Sequence, residues 1–249
     1  MHRFYLPPGR CAGETLRLDG SEAHHALRVL RLKRGELVTV LDGIGNEFMC
    51  TVKDCGRNAV TLSVSLKNFV PAPACAITLL QAVPKGKIIE SIIQKSVELG
   101  ARRIVPILSE RVVTQLDGED AGHKRDKWQN VAIEAIKQCG ATWLPKVEAP
   151  VTIGQFLARQ EKFDVSLVGS LQKERCHPRE IFREFEAKQN RLPQNVSAWI
   201  GPEGDFTLDE LKAIEHSGAQ QISLGNLVLR VETAAVYCLS VLNYELQRD

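Results

Sequence analysis

The sequence predicts an α/β protein in two parts, a small β-rich domain over residues 1–70 and a larger domain over 75–249 in which strands alternate with helices on a mostly parallel sheet. Three observations carry this. Apolar residues recur at short, strand-like spacing up to residue 70 and in alternating strand and helix patterns beyond it. Between the two regimes lies NFVPAPACA, whose Pro71 and Pro73 remove backbone donors and bias their predecessors toward extended conformations. The remaining turns carry glycine, asparagine and aspartate where a chain must reverse.

In the first part, ETLRL, ELVTVLD, NEFMCTVKDC and AVTLSVSL read as strands separated by KRG, DGIGN and GRN. SEAHHALRVLR breaks the pattern: Ser21 is a good N-cap, and Ala23, Ala26, Leu27 and Leu30 follow at helical spacing. A barrel-like domain with one helix tucked in is expected. In the second part AITLLQAV is a strand, GKIIESIIQKSVELGA a helix ending at Gly100, and RRIVPILS a strand. A helix follows GHKRD and runs through WQNVAIEAIKQCG. The strands FDVSLVGS, VSAWIG and QQISLG then alternate with helices at PREIFREFEAKQ and TLDELKAIEHSG, and LRVETAAVYCLSVLNYEL closes the chain.

Bulk properties exclude several classes. No apolar run is long enough to cross a bilayer, and MHRFYLPPGR lacks a secretion signal's apolar stretch, so a cytoplasmic protein is expected. Seven cysteines without a CxxC pair argue against a disulfide framework and a zinc site, and no metal is expected. The formal net charge is +2, with the modest basic excess in residues 1–70, which permits RNA binding without requiring it.

In an open α/β sheet, ligands bind beyond the carboxyl ends of strands. Three such ends here carry glycine: VSLVGS with Gly169, AWIGPEGDF with Gly201 and Gly204, and ISLGN with Gly225. Each alone is equally a tight turn; three together suit close backbone approach to a ligand. The first strand of this domain ends QAVPKGK, without GxGxxG, and no GxxxxGK[ST] loop is present, which argues against dinucleotide and nucleoside-triphosphate chemistry.

IGPEGDFTLDE at 200–210 followed by LGNLVLRVETAA at 224–235 resembles the paired signature of the 16S ribosomal RNA uracil-N3 methyltransferases, within the trefoil-knotted class. HHALRVLRLKRGELVTVLDGIG, QAVPKGKIIESIIQKSVELGARRIVPILSER and KWQNVAIEAIKQCG extend the resemblance over nearly the whole chain, in order. It implies a PUA-like β-barrel for RNA, an α/β-knot domain with a deep trefoil knot, a homodimer, and transfer of a methyl group from S-adenosylmethionine to a uracil of 16S ribosomal RNA within the 30S subunit. The cofactor residues it implies are Leu167, Val168 and Gly169, then Ile200, Gly201, Pro202, Glu203 and Gly204, then Leu224, Gly225, Leu229 and Arg230. Leu224 and Leu229 are also good core residues. Departures fall at Asp205, where the resemblance leads one to expect glycine, at Asn226 and Leu227 in place of proline and arginine, and at Val231 in place of threonine. Asp205 is expected to cap the helix near Thr207.

Methylation at uracil N3 needs the proton to leave and negative charge on O2 and O4 to be stabilised. Arg230 suits the second task, and Glu203 or Glu232 the first. Glu232 also has a structural reading, a carboxylate favouring a helix N-terminus. Candidate RNA contacts are Arg3, Arg28, Arg31, Lys33 and Arg34, with Arg28 and Arg31 on one helical face, extended by Lys85, Lys87 and Arg111. Phe4 and Tyr5 are candidates for base stacking or for the core. Two rivals share the fold: a non-catalytic RNA-binding or ribosome-assembly protein, and a ribose 2'-O methyltransferase.

Overall fold

The structure, a computed structural model, describes residues 1–111, 118–172 and 175–246. Contacts divide the chain into two units, Met1–Ala72 with Ile133–Leu144, and Pro73–Ala132 with Pro145–Asp249.

The first unit contains β1 (His2–Tyr5), β2 (Thr15–Leu18), α1 (Gly20–His24), β3 (Leu37–Leu41), β4 (Asn46–Cys55) and β5 (Val60–Phe69). Among the described residues they form one sheet in the order β1-β3-β4-β5-β2, with β1 parallel to β3 and the other pairs antiparallel. Alternation turns Leu16, Leu18, Val38, Val40, Phe48, Cys50 and Val52 inward. The register slips between Met49 and Cys50 and again between Val52 and Asp54. Such bulges add local twist, which curls the sheet around Ala23 and Ala26. Phe4 is fully buried, so it belongs to the core rather than to a base-stacking surface.

Two expectations fail here. Asp19, in extended conformation, holds the N-cap position in place of Ser21, and no side chain caps α1. The helix then widens into a π-turn over His25–Val29, where the Leu30 N–H bonds to the His25 carbonyl at 2.9 Å. Arg31 follows at φ 53°, outside the helix, so Arg28 and Arg31 do not share a helical face.

Residues 133–144, which the sequence reading keeps in the second domain, pack with the first unit. Lys137, nearly buried, sits 2.8 Å from Glu22 and 2.7 Å from Glu134. The Leu144 N–H donates to the Gly43 carbonyl and the Gly45 N–H to the Thr142 carbonyl, both at 2.9 Å. Local periodicity carries no trace of such long-range pairing.

The second unit contains β6 (Ala76–Ala82), α2 (Ile88–Glu98), β7 (Arg103–Leu108), β8 (Lys146–Val147), β9 (Val151–Thr152), α4 (Ile153–Leu157), β10 (Val165–Gly169), α5 (Pro178–Gln189), β11 (Asn195–Ile200), α6 (Leu208–His216), β12 (Ala219–Ile222) and α7 (Val231–Leu246). Helix α3 (Gly118–Cys139) starts before the expected point, with GHKRD inside it, and its last turns belong to the first unit. Periodicity does not predict β8, β9 or α4, each too short to show a repeat. Among the described residues every pair of strands in this sheet is parallel, in the order β12-β10-β11-β6-β7-β8 with β9 beside β7.

Parallel strands covered on both faces are apolar throughout. Leu80, Val105, Val168 and Trp199 pack against Phe156 of α4 and Leu211 and Ile214 of α6, while α7 packs on α2 and β11. Strand β10 lies between β11 and β12, with β6 beyond β11, so the carboxyl ends of β10, β11 and β12 stand side by side. That change of direction in strand order is where an open sheet leaves a crevice.

Candidate active site

Three loops leave those adjacent strand ends. The first begins at Gly169, the second spans Gly201–Asp205, and the third runs from Leu224 to Arg230. Together with Ile88 of α2 and Val231, Glu232 and Ala234 of α7 they line a cavity of about 440 Å³, within the usual range for small-molecule sites. At Gly169 an added Cβ would stand 3.2 Å from Leu224 Cδ1 and 3.4 Å from Ile200 Cδ1, so those two cavity side chains would have to give way by a few tenths of an ångström. Gly225, at φ 106°, allows the third loop to turn.

Side chains fix the second loop from several directions. Glu203 Oε1 accepts a hydrogen bond from the Lys85 N–H at 3.2 Å. Arg111 Nη1 donates to the carbonyls of Gly204 and Asp205. Asp205, at the left-handed φ of 61°, accepts from the Phe206 N–H at 2.8 Å through Oδ1 and from the Leu171 N–H at 3.3 Å through Oδ2. It therefore ties the first loop to the second and does not cap α6, as the sequence reading expects. Thr207 does that: its hydroxyl accepts from the Glu210 N–H at 3.2 Å, while Glu210 Oε2 accepts from the Thr207 N–H at 2.8 Å. Steric reach decides this, since the capping oxygen must come from the residue just before the first helical turn.

The lining is rich in charge. Glu203, Asp205 and Glu232 supply carboxylates and Arg175 and Arg230 guanidiniums. Arg175 donates to the Ser170 carbonyl at 3.0 Å. Glu232 lies in the first turn of α7, where the helix dipole favours a carboxylate. The Arg230 carbonyl already accepts the Ala234 N–H at 2.8 Å, which makes Arg230 the entry residue of α7. Among the described residues its exposed guanidinium makes no hydrogen bond or ion pair.

Of the residues singled out from sequence, Gly169, Ile200, Gly201, Pro202, Glu203, Leu224, Gly225, Leu229, Arg230 and Glu232 line the cavity. Leu167 and Val168 do not: both are fully buried inside β10, whose carboxyl end begins at Gly169. Gly204 lies off the lining and turns its carbonyl to Arg111. Ser170 and Leu171 were within reach of the sequence, since the VSLVGS loop simply continues through them. Ile88 and Arg175 have no local signal.

Arg28, Arg31, Lys33 and Arg34 are exposed on the first unit, and Lys85 and Lys87 are exposed in the turn between β6 and α2. Arg3 is exposed but committed, with Nη1 donating to the Gln138 carbonyl at 3.1 Å at the negative end of α3. Arg111 likewise braces the pocket loop. Among the described residues no cluster of His, Cys, Asp and Glu is arranged to hold a metal, and no helix is long and apolar enough to cross a membrane.

The curled sheet of the first unit, and in the second a parallel sheet whose adjacent strand ends carry three glycine-bearing loops around a cavity, fit the class of RNA methyltransferases to which the comparisons with known proteins point. Residues 71–243 match the RNA methyltransferase domain family and residues 18–65 the RNA methyltransferase PUA domain family. Ribosomal RNA small subunit methyltransferase E of Synechocystis sp. is 33% identical, covering 97% of this chain and 77% of its own length, and that of Bacillus subtilis is 31% identical, covering 93% and 90%. A Legionella pneumophila methyltransferase solved with its cofactor S-adenosylmethionine bound superimposes with a TM-score of 0.85 at 32% identity, over 97% of this chain and 96% of that one. The Neisseria gonorrhoeae ribosomal RNA small subunit methyltransferase E, solved bound to S-adenosylmethionine, gives 0.86 at 26% identity, over 98% and 97%. The chain belongs to the ribosomal RNA small subunit methyltransferase E family.

Proposed function

We propose that this protein transfers a methyl group from S-adenosylmethionine to N3 of a uracil in 16S ribosomal RNA of the small subunit. The observation that carries the reading is the three-loop cavity with Arg230 and Glu232 at its α7 wall. The cavity suits the cofactor on its own terms. Ile88, Ile200, Leu224 and Leu229 offer apolar walls for an adenine, the glycines leave backbone groups free to approach, and the carboxylates oppose a cation. Gly169, Gly201, Gly225 and Leu229 are the residues to hold it, and when bound it supplies an electrophilic methyl group.

This chain's own groups then have defined tasks. Arg230 enters α7 with an uncommitted guanidinium, placed to hold the uracil oxygens as negative charge spreads onto them. Glu232, one residue beyond Val231, is the candidate to take the N3 proton, directly or through a water. Glu203 has one oxygen engaged by the Lys85 N–H, so its first task is to hold a loop. Since N3 is occupied in a Watson–Crick pair, the target base must be unpaired or flipped. The exposed Arg28, Arg31, Lys33 and Arg34 on one unit, and Lys85 and Lys87 on the other, are the proposed phosphate contacts.

A homodimer is part of the proposal. Leu227 and Val228, at the cavity and each 78% exposed, are apolar side chains that a second copy would cover. Incubation with labelled S-adenosylmethionine and small subunits lacking the modification tests the whole reading. Label recovered as 3-methyluridine supports it. Binding of RNA without transfer would favour the assembly-protein alternative.

A further inference from the structure

We propose that Asp205 is the fixed charge by which this pocket prefers the sulfonium of S-adenosylmethionine to the uncharged thioether of S-adenosylhomocysteine. The inference rests on the cofactor reading above. Methyl transfer breaks the S–CH₃ and N3–H bonds and forms the N3–CH₃ bond, the proton passing to the acceptor proposed above, and the sulfonium leaves as a neutral thioether. Donor and product therefore share the adenosyl and methionyl groups. Contacts to those groups hold both equally, and only the methyl and the charge distinguish them.

Three carboxylates, Glu203, Asp205 and Glu232, and two guanidiniums, Arg175 and Arg230, line the cavity, so the lining carries one net negative charge. Loss of the Asp205 charge would leave it balanced. Asp205 is also the carboxylate held at both oxygens by backbone, through Phe206 N–H at 2.8 Å and Leu171 N–H at 3.3 Å. Glu203 is engaged at one oxygen, on the Lys85 turn. The left-handed backbone at Asp205, φ 61°, is tolerated by aspartate, asparagine and glycine far better than by other residues. A carboxylate at a conformation that glycine would fill with less strain implies use of the side chain. Held in this way, the carboxylate stays in the cavity wall and half-buried, whereas the exposed Glu203 and Arg230 are more fully screened by solvent. A fixed charge of this kind close to a bound cation changes affinity about fivefold.

The test is calorimetric titration of the full chain with S-adenosylmethionine, S-adenosylhomocysteine and sinefungin, which carries an ammonium in place of the methyl-sulfonium. Wild type is compared with Asp205→Asn, whose one amide oxygen can still accept the Leu171 N–H at this backbone conformation while the charge and the second acceptor go, and with Asp205→Gly, which keeps only the conformation. In Asp205→Asn the two cationic ligands should weaken about fivefold while S-adenosylhomocysteine changes less than about twofold. Asp205→Gly should show the same loss of preference, with a further weakening common to all three ligands as the tie to Leu171 goes. Equal weakening of all three in Asp205→Asn, or no change in any, overturns the inference and leaves the cofactor reading intact. If wild type binds none of the three, the cofactor reading falls and this inference with it.

Discussion

Glu203 accepts the backbone N–H of Lys85 at 3.2 Å, so a carboxylate of the loop after β11 holds the turn after β6, 118 residues earlier in the chain. The bond joins two strand ends that line the same edge of the sheet. A glutamine keeps an oxygen for this N–H, whereas alanine does not. Glu203→Gln should therefore keep kcat and the cofactor Kd within about threefold, and Glu203→Ala should weaken the cofactor about fivefold, the worth of about 1 kcal/mol. Steady-state kinetics with titration of the cofactor distinguishes the two. A loss of kcat of a hundredfold or so in Glu203→Gln would instead make Glu203 the proton acceptor.

Glu210 is nearly buried and uses both oxygens, accepting from the Glu110 N–H at 2.7 Å and from the Thr207 N–H at 2.8 Å. Its loss strands two donors. Glu210→Ala should cost about 2–3 kcal/mol in urea unfolding, and Thr207→Ala, which removes one cap, about 1 kcal/mol. Equal small effects would show that the cap adds little to the packing of Leu211 and Ile214.

Asp164 accepts from both terminal nitrogens of Arg191 at 2.9 Å and from the Gln194 N–H at 2.7 Å, and the Arg191 pairing holds its carboxyl down at about 2. An unfolded aspartate titrates near 3.9, so the folded value lies below the unfolded one. The resulting stability is present above about pH 4 and is lost as pH falls toward about 2. Asp164→Asn should be less stable than wild type at neutral pH, and the gap should close on acidification through that window. Urea midpoints at several pH values would reveal it, and a constant gap would remove the linkage.

Burial pushes the Cys75 and Cys238 thiols up to about 12 and those of Cys11 and Cys50 up to about 11, whereas Cys139 and Cys176 are exposed. The thiolate is the reacting form. A thiol reagent at neutral pH should label Cys139 and Cys176 first in the native protein and all seven cysteines in denaturant. Early labelling of Cys238 would mean that α7 opens readily.

What the sequence made legible follows from the range over which each signal acts. Strands β2 to β7 and β10 to β12 and the helices α2, α5 and α6 announce themselves by periodicity, because their buried faces repeat within a few residues, whereas β8 and β9 are too short to do so. Gly169 and Gly201 mark the pocket because the chain passes close to other residues there, and Gly225 because its backbone turns at φ 106°. The packing of Ile133–Leu144 with the first unit was not legible, since it depends on Lys137 meeting Glu22 across more than a hundred residues. The role of Asp205 was misread for the same reason. Its closeness to Thr207 suggests a helix cap, but it accepts instead from the Phe206 N–H and from the Leu171 N–H, the latter reached only after the sheet brings β10 and β11 together. Arg3 and Arg111, which read as free cations, are spent on backbone carbonyls that no local pattern exposes.

The most direct measurement is nucleoside analysis of 16S ribosomal RNA after incubation of small subunits lacking the modification with labelled S-adenosylmethionine, with wild type beside Arg230→Ala. Wild type should yield labelled 3-methyluridine, and Arg230→Ala should form it about a hundredfold or more slowly while binding the cofactor within about threefold of wild type. Label in a ribose 2'-O-methyl nucleoside would contradict uracil N3 as the acceptor, and full activity in Arg230→Ala would contradict Arg230 as the group that stabilises its charge.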